Sequence, residues 1–100
     1  MFKVTRKGKT VTLRKGHIAV ILGIYRAPLG YLNFNDIKRL VGGSYFYIEG
    51  IILDLKDIFF IEERKYKNMR VFLLTEEGRQ FAKDLDAIIR KYKGEIGKKL

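Results

Sequence analysis

One hundred residues make one domain's worth of chain, long enough to bury a core without covalent staples. There is no cysteine or tryptophan, one histidine (His17) and one serine (Ser44). This excludes disulfides, zinc ribbons, thiol nucleophiles, iron–sulfur ligation and His-rich metal sites. Against 11 Asp and Glu stand 21 Lys and Arg, a net charge of +10, which is the balance of a domain that meets a polyanion, most often nucleic acid.

The apolar fraction of 47% supports a core, and its longest apolar run, Ile18 to Tyr25, is far short of the ~20 residues a membrane helix needs. No signal-peptide pattern opens the chain. The expectation is a soluble, cytoplasmic protein without a membrane, metal or cofactor partner. Frequent Ile, Lys and Arg with no Cys suit a thermophile.

Residues 2–5 and 10–13 alternate around Lys7-Gly8, which pairs Val4 with Val11 and Phe2 with Leu13 in a short hairpin. Its other face and turn carry Lys3, Arg6, Lys7 and Lys9. They serve either as a second arm on a polyanion or as charge that protects a sheet edge. The period then lengthens. Ile18, Ile21, Leu22 and Tyr25 form the stripe of a helix over 15–27, which Pro28 and Gly30 end. Asn33 caps a second helix over 34–41, with Asp36 as its capping partner and Lys38 and Arg39 turned outward.

Gly42-Gly43-Ser44 stops that helix and starts a third over 45–57, which buries Ile48, Ile51 or Ile52, and Leu55. Two short helices joined by so tight a glycine link are a helix-turn-helix pattern. Strands over 59–66 and 69–74 follow around Lys67-Asn68. Thr75 then caps a long helix over 75–92, with Glu76 and Glu77 in its first turn and Phe81, Leu85, Ile88, Ile89 and Tyr92 along one stripe. No linker divides the chain, so 1–100 reads as one domain: a basic hairpin (1–13), a core (15–74) and a C-terminal helix (75–92).

This order of elements resembles an α+β winged helix-turn-helix domain. The residues that carry the likeness are Leu55 to Arg64 and, above all, the Leu74-Thr-Glu-Glu-Gly-Arg79 junction between strand and helix. That junction is similar to one in MarR-like, PadR-like and small archaeal winged-helix regulators, of cells or viruses. The resemblance implies a DNA-binding transcriptional regulator, often a homodimer, with its third helix in the major groove and its wing beside the minor groove.

Arg64, Lys65, Lys67, Asn68 and Arg70 crowd positive charge onto the wing, where like charges repel and folding does not ask for them, so phosphate contact is expected. The third helix offers Ser44, Tyr45 and Tyr47 at its start but Glu49 and Asp54 further on. Affinity should therefore rest on the wing with Lys38 and Arg39. Tyr45 and Tyr47 either meet sugars and thymine methyls or pack inward, since Phe46 and Ile48 beside them suggest that one ring is core.

Phe81, Leu85, Ile88, Ile89 and Tyr92 extend past the edge of so small a domain and are expected at a two-fold dimer contact. Gly8-Lys9-Thr10 lacks the first glycine of a phosphate-binding loop, and His17 reads as a half-exposed packing residue, so no enzymatic site is expected. Two further readings are a protein–protein module in a transcription or replication assembly and a sequence-tolerant coat on duplex DNA.

Overall fold

The alternation around Lys7-Gly8 produces the hairpin, strands β1 (Phe2–Arg6) and β2 (Lys9–Leu13), in the expected register with Phe2 opposite Leu13 and Val4 opposite Val11. Lys7 and Gly8 both take positive φ (54° and 78°), the geometry that matches strand twist in a two-residue turn. Val11 and Leu13 are buried, so one face of the hairpin belongs to the core. The computed structural model describes residues 2–92; the basic tail beyond Tyr92 lies outside them.

Helix α1 (Lys15–Arg26) runs through the centre and buries Val20, Ile21, Leu22 and Ile24. His17 is buried rather than half-exposed. Its Nδ1 accepts the Arg14 amide at 3.1 Å, and its Nε2 lies 2.8 Å from Asp54 Oδ2. A third strand that periodicity did not reveal follows, β3 (Tyr31–Asn33). Three residues are too few to show alternation, and Leu32 is fixed only by its pairing with Phe72.

Asn33 ends β3 and caps α2 (Phe34–Val41) through a reciprocal box. Its side chain accepts the Asp36 amide at 2.8 Å, and the Asp36 carboxylate accepts the Asn33 amide at 3.1 Å. Gly42 and Gly43 then both turn through positive φ (77° and 91°), conformations open to glycine at no steric cost. They deliver Ser44 to cap α3 (Tyr45–Asp57), whose Ile48, Ile51, Ile52 and Leu55 are all buried.

The wing strand starts two residues later than expected. Phe59 takes φ 59°, its amide bonds to the Lys56 carbonyl, and the Phe60 amide bonds to the Leu55 carbonyl, closing α3 in a Schellman motif with Phe in the usual glycine place. Strand β4 is therefore Ile61–Tyr66; it pairs with β5 (Met69–Leu74), and β3 completes an antiparallel sheet of order β3-β5-β4. Thr75 caps α4 (Glu76–Lys91).

The Thr75 hydroxyl accepts the Gly78 amide at 3.0 Å and donates to the Phe59 carbonyl at 2.6 Å, while the Thr75 amide donates to the Phe60 carbonyl at 3.0 Å. These bonds press the first turn of α4 onto the backbone where β4 begins. A Cβ on Gly78 would fall on the Phe60 carbonyl oxygen, which is the physical reason for glycine in the junction.

Candidate nucleic-acid interface

The start of α2, the start of α3 and the wing tip converge on one open cleft of about 330 Å³, lined by Asn33, Phe34, Asn35, Tyr45, Asn68, Met69 and Arg70. The fold thus brings together two parts of the chain that the sequence singles out, the glycine-linked helix pair and the wing. Lys38, Arg39, Ser44, Arg64, Lys65, Lys67 and Asn68 are all exposed. Lys67 takes φ 55° in the turn, and its ammonium lies 5.6 Å from the centre of the Tyr66 ring.

The wing cations are not equivalent. Arg70 does not stand at the tip with the others. It reaches back to Glu63 of β4 (2.7 Å) and to Glu49 of α3 (2.9 Å), and its guanidinium lies 5.2 Å from the ring centres of Phe34 and Phe72. It is a brace between wing and α3. Arg64 pairs with Glu62 at 3.2 Å and Arg39 with Asp36 at 2.6 Å, both on the surface, where such pairs exchange readily for another anion. Lys38 and Lys65 have no ion pair among the described residues.

The Arg70 hydrogen bonds hold both Glu49 and Glu63 below the usual carboxylate range. Asp86, on the buried face of α4, is held low in the same way by Arg90 (2.8 Å) and by Arg26 at the end of α1 (2.6 Å). The unfolded chain binds protons on these groups at higher pH than the folded one does. Their stabilisation is therefore complete above about pH 4.3 and is lost as pH falls through the lower folded values. Thermal melts across the acid range should show Tm falling with pH, and Asp86→Asn should flatten that fall. A variant that follows the wild-type curve would show that Asp86 contributes nothing to it.

On α3 the three consecutive aromatic rings differ in their surroundings, although Phe46 meets Tyr45 edge to face with ring centres 5.7 Å apart. Tyr45 leans on Phe34, with ring centres 5.5 Å apart, and its hydroxyl donates to Glu49 at 3.0 Å. Tyr47 lies over Gly43 and against Gly16 of α1. Phe46, between them, is 84% exposed, and Leu53 further along is 57% exposed. Neither stands out in the sequence, because a Phe or Leu in a helix rich in Ile reads as core. The helical angle separates them: Ile48 points inward, and Phe46, 200° away, points out. The Ser44 side chain accepts the Tyr47 amide at 3.1 Å, which leaves its hydroxyl proton free to donate.

The C-terminal stripe divides too. Phe81 stacks on Phe60 with ring centres 4.9 Å apart, Leu85 and Ile89 are half-buried, and Ile88 and Tyr92 are exposed. The N-terminal hairpin sits at the far end of α3. Arg6 donates to the Ile58 carbonyl at 2.9 Å and lies 3.6 Å from Glu77, while Lys3, Lys7 and Lys9 are exposed. Among the described residues no helix is long and apolar enough to cross a membrane.

No protein-family model matches the sequence, and no curated protein matches it either. Solved structures do match in shape. AF1382 from Archaeoglobus fulgidus superposes with a TM-score of 0.69 at 20% identity, covering 78% of this chain and 88% of that one. MepR, a transcription regulator of the Staphylococcus aureus multidrug efflux pump MepA, gives 0.74 at 13% identity; the match covers 88% of this chain but 66% of MepR. Sso10a-2, a DNA-binding protein from Sulfolobus solfataricus, gives 0.60 at 13% identity, covering 87% and 90%. At these identities the likeness is one of architecture: the chain has the α+β winged-helix fold, preceded by a hairpin and followed by a long helix.

Proposed function

We propose that the protein is a DNA-binding transcriptional regulator that grips duplex DNA with its wing and presents α3 to the major groove. The observation that carries this reading is the exposed tip of Arg64, Lys65 and Lys67 on a winged-helix domain of net charge +10. Lys38 and Arg39 on α2 supply a second phosphate contact, Asn68 and the Ser44 hydroxyl donate beside them, and the α3 dipole favours an anion at its start. Tyr45 and Tyr47 touch sugars at the groove edge. Arg70 acts indirectly, by holding the wing against α3. Gel-shift titration of random and selected duplexes at two salt concentrations tests the reading, and absence of any shift at low salt would end it.

The active form is proposed to be a homodimer through α4, which places two copies of α3 about one turn of DNA apart, roughly 34 Å. Ile88 and Tyr92 are 52% and 42% exposed, so replacing both with Ser should leave the fold intact. Light scattering should then find a dimer for the wild type and a monomer for the double variant, with the same circular dichroism. A wild-type monomer at tens of micromolar would refute the pairing. A protein–protein module is the second reading, and the exposed Phe46 and Leu53 are the observation in its favour.

A further inference from the structure

We propose that α3 reads duplex DNA through an apolar ridge, Phe46–Gly50–Leu53, that packs on thymine C5-methyl groups in the major groove. This rests on the reading of the protein as a duplex-DNA binder. Positions 46, 50 and 53 follow the i, i+4, i+7 spacing and line the strip of α3 opposite Ile48, Ile51, Ile52 and Leu55. Phe46 and Leu53 are the exposed apolar side chains of that strip, at 84% and 57%.

Gly50 between them is the second, independent sign. A Cβ there would meet nothing within 4 Å, and its φ is ordinary, so the fold does not require glycine at this mid-helix position. Alanine would fit and would favour the helix. What glycine leaves is a saddle between two apolar knobs, through which the helix backbone can approach another surface closely.

The electrostatics select that surface. The acidic side chains on either side of the ridge are engaged within the molecule, Glu49 by Arg70 and the Tyr45 hydroxyl and Asp54 by His17 at 2.8 Å, while Asp57 continues the strip one turn beyond Leu53 and bounds the ridge there. The ridge between Phe46 and Leu53 is left uncharged, and Lys38, Arg39, Lys65 and Lys67 stand on the neighbouring elements α2 and β4 and in the wing turn. An uncharged apolar strip on a domain whose neighbouring elements carry exposed cations complements a groove with phosphate walls and a floor that carries methyl groups. In B-DNA that is the major groove at A·T pairs, where apolar side chains contact the thymine methyl.

The test removes only the methyl groups. Binding is measured to an alternating dA-dT duplex and to the same duplex with deoxyuridine for thymidine, for the wild type and for the double variant Phe46→Ala, Leu53→Ala. Two buried methyls give about a tenfold preference of the wild type for dA-dT. The double variant should bind both duplexes equally, with the salt dependence unchanged. Gly50→Ala should raise Tm by roughly 4 °C yet weaken dA-dT binding, a split that a purely structural glycine does not produce. Equal wild-type affinity for the two duplexes overturns the ridge and leaves duplex binding standing. Failure to bind either duplex ends both, and makes the ridge a surface for another protein.

Discussion

Gly78→Ala is expected to lower the melting temperature by roughly 12 °C or more, the largest stability effect of any single methyl in the fold. The added Cβ would fall on the Phe60 carbonyl oxygen and lie 3.1 Å from the Phe60 Cα, so the obstacle is backbone and not a side chain that can swing away. That carbonyl cannot retreat freely, because it also accepts the Thr75 amide at 3.0 Å. Moving α4 outward would stretch the Thr75 bond to Phe59 and open the stack of Phe81 on Phe60. Overpacking against a fixed backbone costs about 3 kcal/mol, the upper end of the usual range. Circular dichroism melts measure it, with Gly50→Ala as the control of opposite sign. A Gly78→Ala protein that melts with the wild type would show that the junction is looser than described.

The demand on Gly78 comes from the Phe60 backbone and shows only in the fold, whereas the rest of this junction was legible in the sequence because its demands are local, Thr75 as a cap and Glu76 and Glu77 at the helix dipole. The hairpin register was legible for the same reason, since a two-residue turn with alternation leaves one pairing. Legibility failed where tertiary contacts decide. Strand β3 exists because β5 offers it a partner, and Phe59 leaves the strand pattern because the end of α3 needs a left-handed residue.

The site was legible in position but not in division of labour. Adjacent charges in the sequence could not show that Arg70 turns back to Glu49 and Glu63 while Lys65, its cross-strand partner, stays exposed and outside those pairs. Nor does composition distinguish an exposed Phe46 from a buried one; the signal that does is its helical angle, opposite the stripe of Ile48, Ile51, Ile52 and Leu55.

The second large effect concerns salt. With Arg70 engaged internally, Lys38, Arg39, Arg64, Lys65 and Lys67 remain to meet phosphates, about five in each protomer and about ten in a dimer. Each contact releases condensed counterions, so log K should fall against log salt with a slope near −9 and lose roughly five orders of magnitude between 50 and 200 mM. Lys65→Ala with Lys67→Ala should weaken random and selected duplexes alike and flatten the slope by about two per protomer. Both side chains are exposed and outside every ion pair described, so the fold should not notice their loss.

The most direct measurement of the central claim is therefore the salt dependence of duplex affinity for the wild type and this wing variant, by fluorescence anisotropy on one labelled duplex. Duplex binding through the wing predicts a steep wild-type slope that the variant visibly flattens. A shallow slope, or one that the variant leaves unchanged, would contradict it and pass the wing to solvent and α3 to a protein partner.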